Sequence, residues 1–143
     1  MDTNEAPTMP SLLIPVHVSA APERLELHPD PKQVFKLWQT FVDNVNPLTK
    51  IIHAPTLQDR IFEAAWAVES VPRPLEAIML AVYALAVVSL KPADCIHILG
   101  ERKRLLVSRF RTGALWALSS TDLLSTRDLE VLQALALILV SLI

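Results

Sequence analysis

Residues 37–56 read LWQTFVDNVNPLTKIIHAPT, and the fold turns on how this stretch is divided. Its first half is one face of a helix. Val34, Phe35, Leu37, Trp38, Phe41, Val42 and Val45 recur at three- and four-residue spacings, which gathers them on one side of a 3.6-residue period. Asn46-Pro47 ends that helix, because the proline ring disfavours helical backbone before it and supplies no N–H. The connector that follows carries Leu48, Ile51 and Ile52 beside polar Thr49, Lys50 and His53, so it is expected to pack down on the helices. Thr56 is the expected cap of the next helix, with Asp59 three residues on as a weaker capping box.

Working outward, Asp30-Pro31 supplies a cap and a first-turn proline for the opening helix. Residues 1–29 hold Pro7, Pro10, Pro15, Pro22 and Pro29 without a sustained helical period, and are expected to form a mostly disordered leader. Within it, Leu12, Leu13 and Ile14 could lie in a groove of the folded part. The folded part is expected to span residues 30–143. Its second helix runs from about Leu57 to Ser70, with Leu57, Ile61, Phe62, Ala65, Trp66 and Val68 inward and Gln58, Asp59, Arg60 and Glu63 outward.

The third helix, Leu75 to Leu90, is apolar almost all round, which places it at the centre of a bundle or in a membrane. Only 16 residues separate Pro74 from Lys91, and they include Glu76, Tyr83 and Ser89. A membrane span needs about 20 apolar residues, so the central position is favoured. Ala77, Ala81, Ala84 and Ala86 permit close helix approach. After a break at 91–100, with a helical turn near 94–99, a fourth helix covers about 101–118 with Leu105, Leu106, Phe110, Leu115 and Leu118 as its stripe. Residues 121–126 read as a loop, with Ser125 or Thr126 capping a fifth helix that starts near Arg127 and has almost no polar face. The expectation is an all-α bundle of about five helices around a buried apolar central helix.

Composition narrows function. The chain has 143 residues, 52% of them hydrophobic, at a mean hydropathy of +0.38, and a net charge of −2. That balance does not predict direct nucleic-acid binding. The single cysteine, Cys95, allows neither an internal disulfide nor a cysteine-based zinc cluster. His17, His28, His53 and His97 show no metal-ligand spacing on a helix, and His28 and His53 read as polar loop residues at helix ends. Cys95 has His97 nearby but no orienting third group, so no nucleophile is predicted. With Gly100 and Gly113 as the only glycines, no phosphate-cradling loop is available. Neither a catalytic residue, a metal nor a cofactor is called for. Arg102, Lys103, Arg104, Arg109 and Arg111 form the one basic concentration, read as a solvated helix surface, with a phosphate-contacting or acidic-partner surface as the alternative.

The residues Trp38, Phe41, Asn46, Pro47, Leu48, Lys50, Ile51, Ile52, His53, Pro55 and Thr56 carry a resemblance. The stretch resembles the opening of the middle homology, or regulatory, region of fungal binuclear zinc-cluster transcription factors. There a helix bearing Trp and Phe runs into an N-P-L-x-K-(I/L)-(I/L)-H-x-P-(T/S) connector. The likeness continues through Leu75 to Leu90, GERKRLLVSRFRTGALWAL and DLEVLQALALILVSL. It implies a nuclear regulatory region, of which this chain matches the N-terminal part, acting through protein contacts or a small-molecule effector. It implies that His53 holds the connector by hydrogen bonds. The six-cysteine DNA-binding motif is not among these residues.

The rival reading is a stand-alone small-molecule-binding protein or enzyme of fungal secondary metabolism on the same scaffold. Its ligand site would draw on Trp38, Phe41, His53, Trp66, Tyr83 and Trp116, with Asp43, Glu63 or Glu76 as candidate acids. A truncated remnant is a third. Partner binding or self-association is expected through Leu132, Leu135, Leu139 and Leu142 of the last helix, with no membrane contact.

Overall fold

The computed structural model describes residues 27–119 and 129–142, and every regular element among them is helical. The order is α1 (Pro31–Asn44), α2 (Asn46–Thr49), α3 (Ala54–Ala64), a 3₁₀ turn at Val68–Ser70, α4 (Arg73–Ser89), α5 (Pro92–Leu99), α6 (Lys103–Ser119) and α7 (Leu129–Ser141). The all-α expectation holds. The described residues form seven helices where about five were expected, because α2 and α5 are helices in their own right. The expected leader up to residue 26, the loop at 121–126 and the start of the last helix at Arg127 lie outside the described residues.

Prolines start helices here as well as stop them. Pro31, Pro47, Pro55, Pro74 and Pro92 each occupy the first or second position of a helix. A missing N–H costs nothing there, and the ring's fixed φ already suits the first turn. This rule moved two expected boundaries. α3 begins at Ala54-Pro55, capped by His53, so Thr56 lies inside the helix and is not its cap. The residues expected to make only a turn near 94–99 belong to the longer helix α5, opened by Pro92 and closed by Gly100 at φ 76°, the left-handed conformation glycine adopts most readily. At α1 the expected cap is a full capping box. Gln33 N donates to Asp30 Oδ1 at 2.9 Å, and Asp30 N donates to Gln33 Oε1 at 3.3 Å.

Helix α4 is the hub. Every residue from Leu75 to Val87 is buried, Glu76 and Tyr83 included. α1, α6 and α7 pack against it, and α6 and α7 also touch each other. Ala77, Ala81, Ala84 and Ala86 are at most 1% exposed, consistent with close helix approach. α1 contributes Val34, Leu37, Trp38 and Phe41; α6 contributes Leu106, Phe110, Ala114, Ala117 and Leu118; α7 contributes Val131, Ala134, Leu137 and Ile138. Leu27 and His28, placed in the leader from the sequence, are buried in this core. Leu27 packs against Gly113: a Cβ there would stand 3.0 Å from Leu27 Cδ2.

Three side chains expected inside are outside. Trp66 is 72% exposed, because α3 ends at Ala64 and the bend at 65–67 turns the indole out, where it edges against Phe35. Leu48 is 85% exposed, since the α2 turn directs it away from the core, although Ile52 is buried and Ile51 half-buried as expected. Leu105 is also largely exposed, because the buried stripe of α6 runs through Leu106, Phe110, Ala114 and Ala117.

Candidate functional site

The chemistry of this chain lies in three places: a buried polar clamp, the connector after α1, and the outward faces of α5, α6 and α7. The clamp starts from Glu76, a lone carboxylate in an otherwise apolar stretch of α4 with no exposed surface. Arg73 Nη1 donates to its Oε1 at 2.7 Å, and His28 Nε2 lies 2.9 Å from its Oε2. The other ring nitrogen of His28 lies 3.2 Å from the Tyr83 hydroxyl. With the proton on Nε2, the ring donates to Glu76 and accepts from the Tyr83 O–H. Burial, and then the Glu76 charge, hold the Tyr83 phenol far above its ordinary pKa. The Arg73 guanidinium also covers the Trp116 ring, 4.2 Å from its centroid, and so reaches α6. A buried carboxylate is costly unless paired, and here its partners come from residue 28 and from the first turn of α4. The clamp fastens the segment before α1 to the hub.

His28 therefore differs from its expected role as a loop histidine. The sequence signal was Glu76 itself, since a charged residue in a helix buried all round requires a buried partner.

In the connector, Trp38 Nε1 donates to Gln58 Oε1 at 2.8 Å, tying α1 to α3. His53 Nδ1 lies 2.9 Å from Thr56 Oγ1 across the first turn of α3. Gln133 Nε2 reaches the Ile51 carbonyl at 3.4 Å, so α7 contacts the connector. Lys50 closes α2 at φ 50°, the one non-glycine in the left-handed region among the described residues.

The six residues considered for a ligand site are scattered. Trp38 and Phe41 stack on each other in the core, at 5.7 Å between centroids. Tyr83 belongs to the clamp and packs edge-on against Phe110. Trp116 lies under Arg73, while His53 and Trp66 are at the surface. Of the candidate acids, Glu76 is in the clamp, Asp43 accepts from Gln39 on the surface of α1, and Glu63 is exposed. Cys95 is fully buried, and that burial pushes its thiol pKa up, away from the reactive thiolate.

The basic cluster is not uniformly solvated. Lys103 Nζ donates to the carbonyls of Val88 and Leu90, at 2.9 and 2.7 Å, and so closes the end of α4. Arg109 makes a forked pair with Glu101, and the hydrogen bond from Arg109 holds that carboxyl below its ordinary range. Arg111 donates to Ser141 on α7. Arg102 and Arg104 are exposed. Beside them Pro92, Ile96, Leu105 and Val107 line a groove of about 830 Å³ between α5 and α6. On α7, Leu132, Leu139 and Leu142 are more than half exposed and Leu135 is half-buried. Among the described residues, no helix is long and apolar enough to cross a membrane, and no group of three or more His, Cys, Asp or Glu residues could hold a metal.

An all-helical domain with a filled centre and apolar outward faces is the class these features define. Curated proteins say which kind of protein carries it. The chain is 43% identical over 118 residues to the pyriculol/pyriculariol biosynthesis cluster transcription factor 1 of Pyricularia oryzae, covering 82% of this chain and 16% of that protein. It is 45% identical over 115 residues to the aurofusarin cluster transcription factor aurR2 of Gibberella zeae, covering 80% and 17%. It is 40% identical over 114 residues to the transcriptional regulator AacuB of Aspergillus aculeatus, covering 80% and 16%. The chain thus spans about a sixth of the length of these relatives. No protein-family model matches it. No solved structure matches it either. The resemblance carried by the connector holds at this level: the homologues are fungal transcription factors and regulators, and the match is to a part of each.

Proposed function

We propose that this chain is the N-terminal part of a regulatory, middle-homology-type region. On this reading it works in the nucleus, in the control of secondary-metabolite gene clusters, through protein or effector contacts and not by reading DNA itself. The observation that carries this reading is identity of 40–45% to three fungal regulators over about four-fifths of the chain. Two features support contact over DNA reading. The one cysteine present cannot build a six-cysteine cluster. Three of the five clustered cations are engaged within the fold, by the end of α4, by Glu101 and by Ser141. The contacts proposed are those of the outward face of α7, Leu132, Leu135, Leu139 and Leu142, whose alternating three- and four-residue spacing suits a facing helix. Trp38, Phe41 and Tyr83 fill the core, so an effector would have to meet surface residues such as Trp66 and His53.

The test is a chimera. The matching segment of aurR2 is replaced by this chain, and aurofusarin-cluster transcripts are measured against a deletion of that segment. The reading expects the chimera to restore transcription to within a few-fold of the parent. A chimera that accumulates in the nucleus yet is as silent as the deletion overturns it.

A further inference from the structure

We infer that the groove between α5 and α6 is a docking site for an acidic amphipathic helix of a partner protein. This deepens the protein-contact reading and rests on it.

The floor of the groove is apolar: Pro92, Ile96, Leu105 and Val107. Ile96 and Leu105 are 56% and 54% exposed, on neighbouring helices. Together with Pro92 and Val107 they make one contiguous apolar floor, the kind of surface that marks an interaction site. The rim is cationic. Arg102 and Arg104 line the groove, both exposed, and neither guanidinium has a hydrogen-bond or ion-pair partner among the described residues. They differ in this from Lys103, Arg109 and Arg111, each engaged within the fold. No carboxylate lines the groove. An apolar floor with uncompensated guanidinium groups selects an occupant that is apolar on one side and anionic at its edge.

The openness of the floor favours a helix over a small molecule. A small-molecule pocket buries most of its ligand's surface, about 70–90%. A floor whose central side chains are more than half exposed cannot enclose a ligand in that way. A helix brings its own width and covers the groove from above, with leucines at three- and four-residue spacing on Ile96 and Leu105 and glutamates at its flanks.

The probe is a synthetic, fluorescein-labelled helix of about 18 residues, five turns, with leucine at those spacings and glutamate flanking them. A control keeps the leucines and replaces each glutamate by lysine. Binding to the full chain is read by fluorescence anisotropy. The glutamate helix should bind and the lysine helix should not. Reversing the rim with Arg102→Glu and Arg104→Glu should weaken the glutamate helix by about tenfold or more, and raising the salt should weaken it further. Ile96→Ser with Leu105→Ser should abolish binding; both positions are exposed, so unchanged helical circular dichroism is expected and confirms that the variant folds. Equal binding of the two helices, or indifference to the rim reversal, overturns the proposal. So does binding that emerges only when residues 1–26 are removed, which makes that segment the occupant. Self-association abolished by the Ile96 and Leu105 changes, without competition from the glutamate helix, makes the occupant a second copy. The anisotropy assay reports on the groove alone and the aurR2 chimera on the regulatory reading, so either can fail without the other.

Discussion

Tyr83 is the only tyrosine in the chain, which makes its environment directly measurable. Its hydroxyl is buried beside His28, and its folded pKa is raised, by burial first and then by the Glu76 charge. A raised folded pKa contributes stability that is fully present below the unfolded value, about 10, and is lost as pH rises beyond it. Tyrosinate absorbance should therefore appear only together with loss of helical circular dichroism in an alkaline titration, and Tyr83→Phe should flatten the alkaline fall in stability. Tyrosinate appearing near pH ~10 in a still-folded protein would place the ring in solvent. None of this was legible from spacing. The clamp joins residues 28, 76 and 83, and only a carboxylate at position 76 of an apolar helix hinted at it. Lys50 is a second residue-scale case. Its left-handed φ is tolerable for an unbranched side chain and strained for a branched one. Lys50→Ile should cost about 1–2 kcal/mol, and Lys50→Gly should cost nothing or gain slightly, as read by thermal melting. Equal melting of the two variants would contradict the backbone assignment at the end of α2.

At the scale of elements, the long helices and the cap of α1 were legible, and the short helices α2 and α5 and both ends of α3 were not. The periodicity of α1, the all-round apolarity of α4 and the stripe of α6 each follow from one rule, that a helix buries the faces it makes apolar. The ends depend on whether a proline closes one helix or opens the next, and Pro55 and Pro92 open theirs. Trp66 shows the consequence: reading α3 on to Ser70, past its end at Ala64, placed an exposed indole in the core. Trp38 and Trp66 therefore make a matched pair. Trp38→Ala removes a buried ring and its bond to Gln58, and should cost about 3–5 kcal/mol. Trp66→Ala removes a largely exposed one and should cost under about 1 kcal/mol. Chemical denaturation of both variants checks this; similar losses would mean that α3 continues through residue 66 as its periodicity suggested.

For the whole molecule, Trp38, Phe41 and Tyr83 are buried in the core and the function proposed lies at the surface. The site expected from aromatic residues dissolves into core, clamp and surface. On the last helix, Leu132, Leu139 and Leu142 are each more than half exposed. Covering two or three leucine-sized side chains contributes several kcal/mol at about 25 cal/mol per Å². Sedimentation velocity of the chain should therefore show self-association at about tens of micromolar, relieved by Leu132→Glu with Leu139→Glu. A clean monomer at that concentration would show that the α7 face is covered within one chain. The central claim is that the chain regulates by contact and not by touching DNA. Its most direct test is promoter occupancy and transcript output measured together in the aurR2 chimera carrying Arg102→Glu and Arg104→Glu, the two cations of the basic cluster whose side chains are not engaged within the fold. The account predicts unchanged occupancy with transcripts down several-fold. Occupancy falling in step with transcripts would place those arginines on DNA and contradict it.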